Sequence, residues 1–447
     1  MQFASRVKLH RLGDRLVRRN PLFYARAARL LRSFDAQDSG AQERWRAQRL
    51  QRALHAARRS AYGRSLATPR SLAEWPVLEK ETVRANPARF HSGSGWFTLS
   101  AATSGTTGTP LSLRRSLPSV AYEQAVIDRF VERAGGVSLR DCRAAVLRGD
   151  DIKPIPDREP PFWRLTNGGR RLVFSANHLD ASTLPHYLGA LQKYAPDILF
   201  AYPSVLESLC ALMLASGDQL RVAITECASE ALTPATGEIA RHVLGTRVLA
   251  HYGQAERVAW AQGTPQDGYR FVPTYSVNEL RFVEATDDAD IYELIGTGLW
   301  NDAMPLVRYH TGDHLRLRKG SDPHAVASGR ETFLSVIGRS GDYLLAPSGA
   351  RLVGIDHIPR GVPHVIRAQF IQESPDAVTV LVIPAPGFGE PQRRLLLEQA
   401  ARKLPPSMRV RIETTNRLLR SRSGKTPLVV NDPGVFSAGA TPCRPSP

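Results

Sequence analysis

Cysteine is scarce in this chain. Four are present in 447 residues, at positions 142, 210, 227 and 443, with no paired spacing. That excludes a disulfide framework and a thiolate zinc site. What remains is thiols in a reducing compartment, so the expected location is cytoplasmic. Long apolar runs are also missing. No window of about 18 apolar residues exists, and no spanning helix is expected. The N-terminus has no long apolar stretch behind its charges, which argues against a secretory signal. Acidic residues are outnumbered, 42 against 59 lysines and arginines, for a net charge of +17. Such a balance favours acidic partners: nucleotides, coenzyme A, nucleic acid or an anionic membrane. Genome composition explains high arginine with high alanine equally well. No recognised nucleic-acid motif appears and the basic residues are dispersed, so no nucleic-acid partner is expected.

What is present reads as globular. Hydrophobic residues make up 42% and charged residues 23%, and the length suggests two or three domains. Residues 1–34 interleave arginine and lysine with apolar positions, and two readings stay open. One is a helix lying on a membrane surface, which would add peripheral membrane contact. The other is a helix packed on the body with a solvated face. Helical spacing recurs at 42–58, 118–134, 184–194, 205–215 and 234–244. Apolar strands are expected at 197–202, 222–227 and 248–252. This alternation predicts parallel sheets covered by helices. After Tyr269 strands dominate, at 271–283, 290–294 and 314–317. Glycines bracket 338–341, where a domain boundary is placed. Beyond it, strands at 378–383 and 409–414 flank a helix at 391–404. From Pro433 onward proline, glycine and alanine predict disorder.

The expected architecture is therefore α/β. A large N-terminal domain, 1–337, combines helix-covered parallel sheets with a β-rich subdomain, and its first 60 residues are basic and helical. A small α+β domain, 338–432, and a tail, 433–447, follow. Nothing in the sequence sets an oligomeric state.

One segment carries most of the chemistry. Thr103-Ser104-Gly105-Thr106-Thr107-Gly108-Thr109-Pro110 follows a probable strand and sets five hydroxyls around two glycines. Glycine permits tight or left-handed turns that aim several N–H groups at one anion, and the hydroxyls add donors. A polyphosphate suits such a loop, although the common P-loop pattern does not fit it. Four further segments follow in order: His251-Tyr252-Gly253-Gln254-Ala255-Glu256, Arg308-Tyr309-His310-Thr311-Gly312-Asp313, Gly338-Arg339-Ser340-Gly341-Asp342 and Ser423-Gly424-Lys425.

The ordered set resembles the adenylate-forming superfamily. Within it, the chain is similar to the phenylacetate–CoA ligase branch and to ligase-like proteins of capsular polysaccharide clusters. The resemblance runs from about the start, through Trp75-Pro76-Val77-Leu78-Glu79-Lys80-Glu81, to about Asp432. It implies activation of a carboxylic acid by ATP with Mg²⁺, release of pyrophosphate, and acyl transfer with coenzyme A as the default acceptor. Alternatives are transfer to an amine or hydroxyl in surface-polysaccharide or secondary metabolism, or transfer of AMP itself. A non-catalytic nucleic-acid or membrane binder on a ligase scaffold is a third reading.

The resemblance also implies site residues. Thr103, Ser104, Gly105, Thr106, Thr107 and Gly108 would hold phosphates, with Thr107 counted as catalytic. Glu256 would hold Mg²⁺, and Tyr252 would stack on adenine beside Gly253. Ser229 and Glu230 would line the adenine. Asp313 would accept hydrogen bonds from the ribose hydroxyls, and Arg339 would reach ribose or phosphate. Lys425 would bridge the carboxylate and the α-phosphate during adenylation. Two departures stand out. Thr109 replaces a common lysine, whose charge Arg114 or Arg115 could supply. Gly341 replaces a common hinge aspartate, beside Asp342. His178 and Tyr202-Pro203-Ser204 fall near the acid pocket in relatives, with a core role for His178 as the plainer reading.

Overall fold

The computed structural model describes residues 14–93, 97–103, 111–148, 152–154, 157–339, 344–347, 351–352, 355, 358–359, 361–420 and 426–431. The fold is mixed α/β, and its contacts gather into two units. The first unit takes Met1–Cys142, Thr166–Gly168 and Leu249–Val336. The second takes Arg143–Leu165, Gly169–Val248 and Ile337–Pro447. The expected large domain, 1–337, is thus divided between them.

In the first unit, helix Pro21–Asp35 starts where sequence rules place a start. Asn20 accepts from the amides of Leu22 and Phe23, and proline fills the first turn. Tyr24, Ala27 and Leu31 bury against Ala121, Tyr122 and Ala125 of helix Leu117–Gly135. Burying each large side chain contributes about 1.5–3 kcal/mol. Asp128 secures the seam by accepting from Arg19 at 2.8 Å and from the Tyr24 hydroxyl at 2.7 Å. For residues 21–35 the packed-helix reading holds along this face. Leu22, Phe23 and Leu16 remain exposed on another. Among the described residues no helix is long and apolar enough to cross a membrane.

The main strand pairs of this unit are antiparallel. Strands Thr98–Ala102 and Ser112–Ser116 form an antiparallel hairpin, and Ser276–Ala285, Asp290–Gly298 and Tyr309–Leu317 follow as antiparallel neighbours within a four-stranded sheet. The single strand expected at 271–283 is two. Gly268–Phe271 stops before Val272–Tyr275, a turn closed by Tyr275 N–H to Val272 O at 3.0 Å. Pro273 lies inside it and cannot donate to a ladder.

In the second unit, strands Ile224–Ala228, Ile198–Ala201, Ala144–Arg148 and Arg171–Ser175 lie parallel in that order. Ile198–Ala201 is buried throughout, as an apolar run covered on both faces should be. Helices Leu184–Tyr194, Pro203–Ser216 and Pro234–Leu244 alternate with these strands. The last two end on left-handed glycines, Gly217 and Gly245. The strands at 144–148 and 171–175 were not foreseen, because their short stretches carry no clear alternation.

The C-terminal portion forms a separate four-stranded sheet. Val365–Ser374 and Ala377–Pro384 are antiparallel neighbours, with Arg409–Thr414 parallel on one edge and Val429–Val430 parallel on the other. Helix Glu390–Lys403 covers it through Leu396 and Ala400, which pack with Phe370, Val378 and Val380. On the other side Ile366, Leu381, Ile383 and Leu418 pack against Ala211 and Ile239 of two helices of the same unit.

Candidate active site

In the first unit the site is built where two strands bring motif residues together. Strand Arg247–Gly253 carries Tyr252, and strand Tyr309–Leu317 carries Asp313. Opposite Leu294 the second strand bulges. Its register jumps from His310↔Ile295 to His314↔Glu293, leaving Thr311, Gly312 and Asp313 in the extra space. Gly312 sits at φ 73°, a left-handed conformation that costs glycine little. The Thr311 hydroxyl donates to Leu294 O at 2.9 Å and accepts from the Asp313 amide at 3.0 Å. The bulge thereby aims Asp313, as bulges near functional sites often do. The segment is a distorted strand.

Asp313 is 6% exposed. Its Oδ2 accepts from the Tyr252 hydroxyl at 2.6 Å and the Gln254 amide at 3.4 Å. Burial, then the charge of Asp313, raises the Tyr252 pKa well above its ordinary value, so this hydroxyl stays protonated and donates. Gly253 is a packing requirement, because a Cβ there would meet the Trp260 ring at 2.7 Å.

Glu256 is a second buried carboxylate, 5% exposed. Its Oε1 accepts from the Tyr309 hydroxyl at 3.1 Å and lies 3.6 Å from the Lys80 ammonium. Lys80 arrives through a small parallel bridge: Leu78 N–H donates to Arg308 O and His310 N–H to Leu78 O, each at 2.9 Å. Sequence reasoning gave Lys80, Tyr309 and Gln254 no role, although all three stand inside the quoted motif segments. Arg308 is occupied structurally, donating to Glu279 and to Trp75 O. Arg115 donates to Ala255 O at 2.8 Å, and burial lowers its pKa. Arg114 has an exposed side chain.

Among the described residues no group of three or more His, Cys, Asp or Glu side chains could hold a metal. One buried carboxylate, Glu256, fits Mg²⁺ only in the manner where phosphate and water complete the octahedron.

Thr103 marks the neck of the hydroxyl-rich loop. Its amide donates to Leu111 O at 3.1 Å and its hydroxyl accepts from the Leu111 amide at 3.0 Å. Ser104, Gly105, Thr106, Thr107, Gly108 and Thr109 lie outside the described residues, as do Gly341, Asp342, Lys425 and the Arg339 side chain.

The second unit holds the remaining candidates. Ser229 adopts φ 73° and its neighbour Glu230 turns inward. Glu230 accepts from the Ser204 amide at 2.9 Å, the Ser204 hydroxyl at 3.1 Å and the Thr426 amide at 2.6 Å. His178 is fully buried and stacked on Phe162. Its Nδ1 meets Ser175 Oγ at 2.7 Å and its Nε2 meets Pro154 O at 3.2 Å. Burial lowers its pKa, and both ring nitrogens are used, as the core reading requires.

Comparison with known proteins bears on the fold and the relatives of the chain. Residues 344–432 match the family described as the CapK C-terminal domain. Protein CapK of Staphylococcus aureus is 23% identical over 323 residues, 71% of this chain and 70% of that protein. Phenylacetate-coenzyme A ligase of Pseudomonas putida is 26% identical over 264 residues, 55% of this chain and of that enzyme, so the match spans about half the relative. A crystal structure of 2-hydroxyisobutyryl-CoA ligase in the postadenylation state shares the fold, with a TM-score of 0.57 at 15% identity over 90% of this chain and 91% of that one. These matches support a likeness to the adenylate-forming superfamily, with CapK-like relatives.

Proposed function

We propose that this protein uses ATP to activate a carboxylic acid as its acyl-adenylate and then transfers the acyl group to coenzyme A. A carboxylate is a poor electrophile, since its charge repels nucleophiles and oxide leaves badly. In the first step a carboxylate oxygen attacks the α-phosphorus, the bond from that phosphorus to the bridging oxygen breaks, and pyrophosphate leaves. In the second step the coenzyme sulfur bonds to the acyl carbon, AMP leaves, and the thiol proton passes to solvent.

The observation that carries the reading is the pairing of Asp313 with Tyr252 and Gln254 on a bulged strand, beside buried Glu256. Asp313 would accept from both ribose hydroxyls, with Tyr252 fixing its orientation. Thr103–Gly108 would bind the phosphates, and Ser229 and Arg339 would contact the nucleotide. Glu256 would hold Mg²⁺, which neutralises phosphate charge when bound. Lys425, in the small domain 338–432, would stabilise charge between the acid and the α-phosphate. The name of the phenylacetate-coenzyme A ligase relative supports the reading.

The test is pyrophosphate release across aryl, fatty and amino acids, with and without coenzyme A. Acid-dependent release and a thioester product are expected. Release with no thioester, and an acyl amide or ester in its place, would move the acceptor to an amine or hydroxyl. No release with any acid would reject the reading.

A further inference from the structure

Described residues flank the basic stretch 421–425 of the sequence on both sides. Gln369 is fully buried and clasps the two limbs. Its amide donates to Leu419 O at 3.0 Å and to Pro427 O at 2.9 Å, and its oxygen accepts from the Leu419 amide at 2.8 Å. These contacts tie Leu419 and Pro427 to strand Val365–Ser374. A second set reaches residues 143–248 of the same unit. The Arg420 guanidinium donates to Ala176 O. Glu230 receives the amide of Thr426, which is the N–H of the peptide bond between Lys425 and Thr426.

Glu230 is fully committed to this task. Its side chain is 3% exposed, and a buried carboxylate needs donors and a counter-charge. The Ser204 amide opens helix Pro203–Ser216, where the helix dipole favours an anion. Thr426 Oγ1 donates to Ser204 Oγ at 2.9 Å, which donates onward to Glu230. Arg367 approaches Glu230 at 3.7 Å and Glu207 at 3.3 Å, bridging two buried carboxylates. Adenine has no open edge of this carboxylate to meet.

We infer that Glu230 is a positioning residue that clamps the Lys425–Thr426 peptide, and not part of the adenine wall. With Ser204 as relay and Arg367 as counter-charge, it fixes Thr426, the residue that follows Lys425 in the chain. The inference rests on the proposed role of Lys425 for its catalytic consequence. The clamp itself stands on the contacts above. Through Thr426 the clamp would serve adenylation, whereas Gln369 ties Leu419 to Pro427 within the C-terminal portion.

Two measurements on the full chain test it, using Glu230→Ala and the milder Thr426→Val. The first is trypsin cleavage after Lys425 without ligands, followed by mass spectrometry. Cleavage at this bond should accelerate at least fivefold in Glu230→Ala and less in Thr426→Val, with other sites unchanged. Unchanged cleavage at Lys425 in both variants would overturn the clamp. A general acceleration at all sites in Glu230→Ala would mark misfolding and pass the decision to Thr426→Val. The second is acid-dependent pyrophosphate release. A positioning residue lowers kcat at least tenfold with the KM for ATP unchanged, while acyl transfer from supplied acyl-AMP persists. A raised KM for ATP at unchanged kcat would return Glu230 to the adenine wall. If the native protein releases no pyrophosphate while cleavage still accelerates, the catalytic reading fails and the clamp stands.

Discussion

The buried carboxylates of the two units are satisfied in different ways. In the first unit, Asp313 and Glu256 meet side-chain donors: the Tyr252 hydroxyl and Gln254 amide for one, the Tyr309 hydroxyl and Lys80 ammonium for the other. Such donors sit on rotatable bonds and can yield to a ligand. In the second unit, Glu230 meets two backbone amides, one at a helix start, and a buried guanidinium. Backbone donors cannot swing away without moving their element. The contrast teaches that burial and charge alone do not mark a ligand site. What the partner group is attached to separates a carboxylate poised to receive a ligand from one already used in structure.

The sharpest way to break this comparison is to remove the counter-charge of the second unit. Arg367→Ala leaves Glu207 and Glu230 buried without a cation. Breaking a buried pair by removing one partner costs about 3–5 kcal/mol. Urea unfolding at pH 8 should show that loss, and a change near zero would mean the cluster is not under strain from its charges. Lys425→Ala should act on rate, lowering acid-dependent pyrophosphate release by about 10²–10³ while ATP binding persists. Equal losses in release and in transfer from supplied acyl-AMP would make Lys425 structural.

A pH effect comes next. Burial raises the Glu207 pKa from 4.5 to about 7, against the opposing pull of Arg367 and the Thr236 hydroxyl, with Glu230 adding to the rise. A carboxylate with a raised folded pKa binds protons more tightly when folded. Its contribution is therefore complete below about pH 4.5 and is lost as pH rises to about 7, with a slope up to about 1.4 kcal/mol per unit. Glu207→Gln should flatten the stability profile in that window, and an unchanged profile would assign the slope to other groups. The smallest effect expected is that of Tyr309→Phe. It removes one hydrogen bond to Glu256, worth about 1.5–3 kcal/mol when the acceptor is charged, and should weaken Mg²⁺-dependent ATP binding without unfolding the protein.

Much of the first-unit cluster was legible in sequence. Tyr252 and Asp313 each lie in a short segment that ends or distorts a strand, and residue type carries their chemistry. The bulge was not legible, since Gly312 reads as a turn glycine until the register across Leu294 is known. Lys80 was missed because its partner is remote in the chain and meets it only through the Leu78–Tyr309 bridge. Glu230 shows the deeper limit. Its expected place beside adenine came from the resemblance of a short local segment, whereas its contact with Thr426 spans 196 residues. Helices such as Pro203–Ser216 were readable from apolar spacing, whereas Ala144–Arg148 was not, being short and fully covered.

Equilibrium titration of ATP with Mg²⁺ into Asp313→Ala and Glu230→Ala, side by side with the native protein, tests the contrast most directly. Loss of the proposed ribose acceptor should weaken ATP binding about tenfold or more in Asp313→Ala, given about 1.5–3 kcal/mol for a hydrogen bond to a charged group. Glu230→Ala should bind ATP as the native protein does. Native affinity in Asp313→Ala, or equal weakening in both variants, would contradict the division between a ligand-receiving and a structural carboxylate.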